Sequence, residues 1–469
     1  MLKSRVHSRT TGLLSAAAVG VYLLVVAGAT ASLADAASAC STWPTCQGPL
    51  LESGTLVALG HRVLAAVVGV LVVAAALAVL RSDTDRRVRI ATLAALVLFP
   101  AQVGFGALLA TSSGAAPFPG VHLLIAVSIF GALVMALAWH LEAETGSDER
   151  IEEFDPVPAP EPATDDEAAE PTVPLSARPL SKRVTARLFA YFRLMKPRLM
   201  WLLCLVAAAG MALAAGTDLQ TRTIVLTLGG GVLAIGASGT FNHVLERERD
   251  KRMDRTSDRP LATHEIPKGN AVVFGIGLAA LSLAVFWQVN VLAAALGLVA
   301  ILFYSVVYTL VLKPNTVQNT VIGGAAGALP ALIGWAAVTG DIGVPGLALA
   351  GVIFVWTPAH FYNLALAYKD DYERGGFPMM PVVRGETETR KHILLWLGAT
   401  LALTGGLIWV TGLSWLTAAA TAVVGAVFLW AVVRLHREQT EAAAFRAFHA
   451  SNAYLGVLLV TIVVDALAV

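Results

Sequence analysis

Thirteen apolar segments, each long enough to cross a lipid bilayer, limit the folds open to this chain. A membrane-spanning helix needs about 20 mostly apolar residues, because each residue adds about 1.5 Å. Only 14% of the 469 residues are charged, whereas soluble domains contain about 25%. We therefore predict an all-α polytopic membrane protein of the cell membrane with about 13 transmembrane helices. The segments lie at roughly 12–34, 56–80, 88–111, 119–140, 198–216, 222–244, 270–288, 291–312, 318–339, 344–367, 391–411, 413–434 and 449–468.

A polar stretch divides the apolar segments into two groups. From Glu142 to about Pro174 the chain is acidic and rich in Pro and Ala, without apolar periodicity. This composition is typical of a disordered linker. We predict a four-helix domain over residues 1–140, a linker over 141–185 and a nine-helix domain over 186–469.

Lysine and arginine are distributed unevenly among the loops. The loops that contain most of them fall on one side of the membrane if every segment spans once, and the opposite loops are short and nearly free of basic residues. Because basic loops stay on the cytoplasmic side, we predict that they face the cytoplasm. Nothing in the sequence indicates nucleic-acid binding.

The stretch from Asn242 to Leu261 is the strongest candidate for chemistry. Asn242, Glu246, Asp250 and Asp254 recur every four residues, so on one continuous helix they lie on the same side. Oxygen ligands of this kind suit Mg²⁺, and the basic residues among and after them suit phosphate oxygens. The alternative is a solvated helix stabilised by ion pairs between residues four apart.

A second acidic patch, Asp370 and Asp371, follows a later span on the same side. Because four spans separate the two patches, they can meet across the interior of a bundle. They would then hold two Mg²⁺ ions that bridge one diphosphate and stabilise the charge that develops as it leaves. This arrangement predicts ionisation of an allylic diphosphate, in an apolar bundle that shields the carbocation from water.

From about residue 191 to 469 the chain resembles the intramembrane aromatic prenyltransferases, and within them the branch that farnesylates heme. Glu246 is a departure, since Asp is commoner there, but it still supplies an oxygen ligand. The matching stretches are Lys196-Pro197-Arg198, the acidic stretch through Arg259-Pro260-Leu261, Tyr308-Thr309-x3-Lys313-Pro314-x-Thr316-x2-Asn319 with Gly323-Gly324-x2-Gly327, and Trp356-x-Pro358-x-His360-Phe361 through Asp371-Tyr372 to Pro378-x-x-Pro381.

The resemblance implies that heme B, farnesyl diphosphate and water give heme O and diphosphate. It implies that His360 orients the porphyrin, and the alternative for this histidine is helix packing. Asn242, Glu246, Asp250 and Asp371 are the implied catalytic residues. The implied Mg²⁺ ligands are Asn242, Glu246, Asp250, Asp370 and Asp371, and the implied diphosphate ligands are Lys196, Arg198, Arg255, Arg259 and Lys313.

The first four segments contain two histidines, His61 and His122, near the outer ends of their spans. Imidazole is a good axial ligand of heme iron, so we predict that they bind a heme b between facing helices. The alternative is that both pack at the membrane interface. Cys40 and Cys46 lie in the first outer loop, on an oxidising side where a disulfide persists.

Residues 12–140 resemble one four-helix half of heme A synthase. That family usually has Glu three residues before its second-helix histidine, whereas this chain has Ala58. The resemblance implies either a half that binds heme and passes it on, or a bifunctional heme O and heme A synthase, and it suggests association with heme A synthase or a terminal oxidase assembly. The matching stretches are Cys40 to Cys46 around Trp43-Pro44, Gly60-His61-Arg62, Gln102-x-Gly104-x-Gly106 and His122-Leu123.

Other functions remain open from the sequence alone. A prenyltransferase for a quinone precursor would use the same acidic patches with another aromatic acceptor. A transporter also places carboxylates in membrane segments, but near the midplane in interrupted helices. Here the charges cluster at helix ends beside Arg and Lys. For the first four segments, a simple membrane anchor is the remaining alternative.

Overall fold

The computed structural model describes residues 2–33, 36, 39–40, 42–46, 52–111, 119–146 and 180–468. Within these ranges the regular secondary structure is helical, and thirteen helices are long and apolar enough to cross a membrane. The predicted all-α polytopic fold class is therefore confirmed. The central part of the predicted linker, residues 147–179, lies outside the described residues. Both of its ends are helical instead, because α4 extends to Thr145 and α5 begins at Leu180.

The helices are numbered along the chain. Two further segments, the 3₁₀ turn Gly216–Asp218 and the π-helix Phe303–Leu312, lie within or beside spans. The α-helices are α1 (Leu2–Leu33), α2 (Ser53–Arg81), α3 (Arg86–Thr111), α4 (Pro119–Thr145), α5 (Leu180–Leu194), α6 (Pro197–Ala215), α7 (Thr221–Leu245), α8 (Arg247–Asp250), α9 (Lys268–Trp287), α10 (Val291–Leu302), α11 (Lys313–Asn315), α12 (Asn319–Thr339), α13 (Val344–Ala367), α14 (Lys369–Arg374), α15 (Met380–Val383), α16 (Glu386–Thr411), α17 (Trp415–Glu438) and α18 (Glu441–Ala468).

One compact unit contains residues Met1–Glu149, Leu347–Ala367 and Thr387–Val469. Small residues bring α1 and α4 close to α16 in this unit. A Cβ added at Gly398 would lie 2.6 Å from Val134, and one added at Gly405 would lie 2.8 Å from Val25. The unit thus combines helices from both predicted domains, and the predicted domain boundaries remain a prediction.

The second compact unit contains residues Arg150–Gly346 and Tyr368–Glu386. Its helices α6 and α12 approach each other at backbone contact. A Cβ added at Gly210 would lie 2.5 Å from the carbonyl oxygen of Ala331, and one added at Gly334 would overlap the carbonyl oxygen of Ala207. Packing of small residues is a main source of helix association in membranes, where water does not drive it.

The π-helix of the second unit follows α10 and precedes α11. The Thr309 hydroxyl donates a hydrogen bond to the carbonyl oxygen of Tyr304, five residues earlier, at 2.8 Å. Gly323 on α12 leaves room for the Tyr308 ring, which a Cβ would meet at 2.5 Å. Short π-helical segments are frequent at functional sites.

We expect Gly334→Ala to destabilise the second unit, because the added methyl group overlaps α6. Overpacking of this kind costs about 1–3 kcal/mol. The measurement is the thermal midpoint of the purified protein in detergent. Gly277→Ala on α9 is the matched control, because a Cβ there meets nothing within 4 Å. Equal midpoints for the two variants would contradict the close crossing.

Candidate active site

The acidic stretch does not form the continuous helix predicted from its spacing. Helix α7 ends at Leu245, and Glu246 has φ −95° and ψ 4° before the short helix α8 begins. Two backbone hydrogen bonds still preserve the four-residue register, from Glu246 N–H to the Asn242 carbonyl at 2.9 Å and from Asp250 N–H to the Glu246 carbonyl at 2.8 Å. The three residues Asn242, Glu246 and Asp250, called here the acidic row, are buried.

Asp254 does not continue the acidic row, and the hydrogen bonds around it explain why. The Thr256 hydroxyl bonds to the Asp250 carbonyl at 2.9 Å, and the backbone N–H of Asp254 donates instead to Asp371 at 2.8 Å. The Asp254 side chain is exposed and pairs with Arg374 at 2.6 Å. The Asp254 carboxylate therefore lies apart from the acidic row.

Three of the five predicted diphosphate ligands contact the acidic row. Lys313 pairs with Glu246 at 2.5 Å. Arg259 donates to both carboxylate oxygens of Asp250, at 2.7 and 2.8 Å. Lys196 donates to the side-chain oxygen of Asn242. Three basic side chains thus face two carboxylates and one amide.

The electrostatics of this cluster favour a further anion. Burial would raise the pKa of Glu246, but Lys313 and Lys196 hold that pKa below its usual value. Burial raises the pKa of Asp250 despite its bond to Arg259. Burial and the nearby charges of Arg259 and Lys313 lower the pKa of Lys196 to about 7. A bound anion would stabilise the charged form of Lys196, because opposite charges favour ionisation.

Two residues that sequence reasoning missed position this cluster. Asn242 donates to the Thr309 hydroxyl at 3.1 Å, and Lys196 lies 3.4 Å from the Tyr304 hydroxyl. Both belong to the π-helix, which turns residues five apart toward the same side. Thr309 stands in a stretch that the family resemblance marked, but nothing in that stretch indicates a π-helical turn.

Hydrogen bonds connect the second acidic patch to the residues that follow the acidic row. Asp371 accepts hydrogen bonds from the backbone N–H groups of Asp254 and Arg255, at 2.8 and 3.3 Å, and from Arg374 at 2.7 Å. Asp370 is exposed. Among the described residues, no three His, Cys, Asp or Glu side chains form a group that could hold a metal ion.

Aromatic side chains border the basic residues. Arg255 donates to the Tyr372 hydroxyl at 3.2 Å, and Lys313 lies over the Phe377 ring at 4.3 Å from its centre. These contacts place Arg255 beside the second patch rather than against the acidic row. Arg198 is exposed on α6 and takes no part in the contacts described above.

An apolar cavity is lined at one end by Lys196, and its empty space, open solvent included, is about 730 Å³. Its lining residues on α7 run from Gly239 to Thr227, which is about 18 Å along a helix at 1.5 Å per residue. A basic group at one end and a long apolar interior suit an amphiphile with an anionic head and a hydrocarbon tail.

His360 lies in the other compact unit and has the contacts of a packing residue. Its ring is stacked between Trp356 and Phe448, each 4.3 Å away between ring centres. Its Nδ1 atom lies 2.6 Å from the Ser451 hydroxyl. The contacts agree with helix packing, the alternative given above, and a heme-orienting role remains a prediction.

The predicted heme ligands His61 and His122 lie on the membrane-spanning helices α2 and α4. Among the described residues, their Nδ1 atoms and the side-chain oxygen of Gln102 are buried without a hydrogen-bond partner. Gly28 and Gly106 leave space against the two rings, since an added Cβ would meet the imidazole Cε1 atoms at 3.4 and 3.2 Å. Buried polar atoms without a partner on these two imidazole rings are compatible with a bound group.

A disulfide joins Cys40 and Cys46, whose Cα atoms are 5.1 Å apart. The Arg62 guanidinium donates to the carbonyl oxygens of Thr42 at 2.8 Å and Cys40 at 3.0 Å. Because Arg62 directly follows His61, the disulfide loop is attached to the start of the helix that carries this histidine.

Comparisons with known proteins agree on one family. The UbiA prenyltransferase family matches residues 202–455. The protoheme IX farnesyltransferase of Haloarcula marismortui is 67% identical over 98% of this chain and 99% of its own length. Protoheme IX farnesyltransferase 1 of Natronomonas pharaonis is 65% identical over 98% of this chain and 100% of its own length. The solved structure of a digeranylgeranylglyceryl phosphate synthase matches with a TM-score of 0.52 and 15% identity, over 61% of this chain and all of that one, a likeness of fold alone.

Proposed function

The chain belongs to the UbiA prenyltransferase family, and we propose that it transfers the farnesyl group of farnesyl diphosphate to a vinyl group of heme B, giving heme O and diphosphate. Two relatives that match nearly the whole chain are named protoheme IX farnesyltransferases. The structural observation that supports this activity most directly is the acidic row with its three basic partners, one of which, Lys196, also lines an apolar cavity.

Magnesium fits the donor set of the acidic row. Asn242, Glu246 and Asp250 offer buried side-chain oxygens, which hard divalent cations prefer. When bound, the ion supplies neutralising charge for the diphosphate leaving group. A second ion at Asp370 and Asp371 remains a prediction, because the Asp371 carboxylate already binds two backbone N–H groups.

The basic residues of the site perform the binding step. When the diphosphate binds, its oxygens replace the acidic row as hydrogen-bond acceptors of Lys196, Arg259 and Lys313, because charge-assisted bonds to phosphate are strong. The farnesyl tail lies in the apolar cavity, which keeps water from the allylic carbon. Arg255, held by Tyr372, adds positive charge at the side of the second patch.

The reaction then needs no strong protein base. The carbon–oxygen bond of farnesyl diphosphate breaks, and its electron pair leaves with the diphosphate. The vinyl π electrons form the new carbon–carbon bond, and water adds to the resulting cation with loss of a proton. The product is a farnesylated hydroxyethyl heme, and mass spectrometry of extracted hemes identifies it. A prenylated hydroxybenzoate, formed in preference to heme O in a competition assay, would instead support the quinone-precursor alternative.

We place the acidic row at the cytoplasmic side of the cell membrane. The support is the excess of Lys and Arg in the loops on that side. Delivery of heme O to a heme A synthase or a terminal oxidase assembly belongs to the same proposal.

We expect Glu246→Gln to lower metal-dependent diphosphate release by about 100-fold or more, the scale on which lost transition-state stabilisation acts. The amide removes the charge that balances a metal ion while it keeps the size of the side chain. Glu248→Gln on α8 is the matched control, because that carboxylate is 67% exposed and pairs with Lys251. Equal losses in the two variants would contradict the assignment.

We expect Gly231→Leu to shorten the prenyl chain that the enzyme accepts. Gly231 lines the cavity eight residues before Gly239, and a Cβ there meets nothing within 4 Å. A leucine would fill the far part of the cavity and lower kcat/KM for farnesyl relative to geranyl diphosphate by at least about tenfold. Gly229→Leu, which also meets no atoms but does not line the cavity, should keep the original preference.

A second function is specific to residues 1–140, which we propose as a heme b-binding domain that supplies heme to the prenyltransferase. The observation that favours it is the pair of imidazoles, His61 and His122, whose Nδ1 atoms are buried without a hydrogen-bond partner among the described residues. His61 and His122 would hold the heme iron through their imidazole nitrogens. Ala58 stands where heme A synthases usually have Glu, so we propose binding of heme and leave its oxidation as the bifunctional alternative.

We expect His61→Ala and His122→Ala to abolish a low-spin heme b spectrum in the purified full-length protein. Loss of either imidazole would remove one of the two groups that hold the iron, and reduced-minus-oxidised absorption spectra would detect the change. His392→Ala is the control, since this residue pairs with Glu388 on α16. Unchanged spectra in both variants, with wild-type thermal midpoints, would rule out the two histidines as ligands.

A further inference from the structure

Helix α5 presents two different apolar faces. On one face, Ala190 and Leu194 are buried against residues of the second compact unit. On the other, large apolar side chains contact little within the protein. Val184, Leu188, Phe189 and Phe192 are 50%, 66%, 61% and 50% exposed, respectively.

The exposed side chains form a stripe. Val184, Leu188 and Phe192 are four residues apart, so each is turned only about 40° from the one before it. The helix also contains Lys182, Arg183, Arg187 and Arg193 and no acidic residue. An apolar stripe beside basic residues is typical of helices that lie in the interfacial layer of a membrane.

The position of α5 in the fold is consistent with a place in the interfacial layer of a membrane. It is separated from α6, a membrane-spanning helix, by only Met195 and Lys196. Lys196 has a left-handed φ of 55°, which turns the chain between the two helices. Leu194 shares a cluster with Val244 and Ala271, which lie at the end of α7 and the start of α9. The helix therefore lies across the ends of two spans.

We propose that α5 is a lipid-binding helix, whose exposed stripe inserts among the headgroups and whose basic residues bind anionic phospholipids. A basic residue near an anionic membrane surface is attracted to it electrostatically. The acidic segment before α5 matches its charge, but that segment is rich in Pro and Ala and short of large apolar residues to cover the stripe. An anionic lipid surface complements both the positive charge and the apolar stripe of α5.

Lipid binding at α5 would act on the candidate active site through direct contacts. Arg193 donates to the backbone and side chain of Asp258, at 2.6 and 3.0 Å, next to the phosphate-binding Arg259. The carbonyl of Leu194 lies against α7, where a Cβ at Gly239 would meet it at 3.0 Å. A fixed α5 thus positions Lys196 and the loop that carries Arg259. This consequence rests on the proposed function, whereas lipid binding does not.

The first experiment tests whether the exposed apolar stripe of α5 contacts lipid. In a Cys204→Ala background, Leu188→Cys and Arg187→Cys are labelled with the same fluorophore in the full-length protein, which is reconstituted into vesicles that contain phosphatidylglycerol. We expect the label at position 188 to be quenched by spin-labelled lipid and protected from aqueous iodide, and the label at 187 to be the more iodide-accessible. Iodide access at 188 would overturn the proposal. Protection without quenching by lipid would also overturn it, since it indicates a protein segment or a second copy as the occupant.

The second experiment measures the consequence. Farnesyl transfer is compared in phosphatidylcholine vesicles with and without phosphatidylglycerol. We expect the wild-type rate to rise several-fold with the anionic lipid, and Arg183→Gln/Arg187→Gln to lose this rise. Arg437→Gln, an exposed arginine on α17, is the control that should keep it. An equal rise in the double variant would refute the role of α5, whereas a wild type without activity in any vesicle would refute the proposed function and leave the labelling result intact.

Discussion

The burial of two carboxylates, Glu246 and Asp250, is the constraint on which the candidate site depends. Burial of an unpaired carboxylate costs far more free energy than one hydrogen bond contributes, so each of these two carboxylates must be paired. The partners come from separate parts of one compact unit, Arg259 after α8 and Lys313 after the π-helix, and Lys196 before α6 joins the same cluster through Asn242. One electrostatic requirement therefore both assembles these segments and concentrates positive charge beside an apolar cavity. The same ion pairs that stabilise the fold are those that a phosphate group would replace.

The sequence predicted the features that depend on residue type and short-range spacing. The thirteen spans follow from apolar length, and the acidic row keeps its four-residue register because helical hydrogen bonds continue through Glu246. It did not predict the departure of Asp254, since this depends on Thr256 and on Asp371, which is more than one hundred residues away. Nor did it predict the π-helix, because Thr309 reaches Asn242 only through tertiary packing. The roles of Arg198 and Asp370 rest on motif matching alone, since both side chains are exposed.

The first four spans are part of a larger compact unit and not an appendage to it. Gly398 and Gly405 on α16 allow Val134 and Val25 to approach closely, and Lys391 bonds to Glu142 at 2.7 Å. The UbiA family match begins at residue 202, whereas the named relatives match nearly the whole chain. The first four spans therefore lie outside the family match but within the length that these relatives share with this chain.

The crossing of α6 and α12 at Gly210 and Gly334 also determines how the cavity can respond to its contents. Both helices line the cavity, and their backbones are already in contact, so they cannot approach further. Native interiors resist such compression because they are close-packed. The cavity should therefore keep a fixed width on that side. It should discriminate strongly by the length of a substrate's hydrocarbon tail and weakly by the chemistry of the far end of that tail.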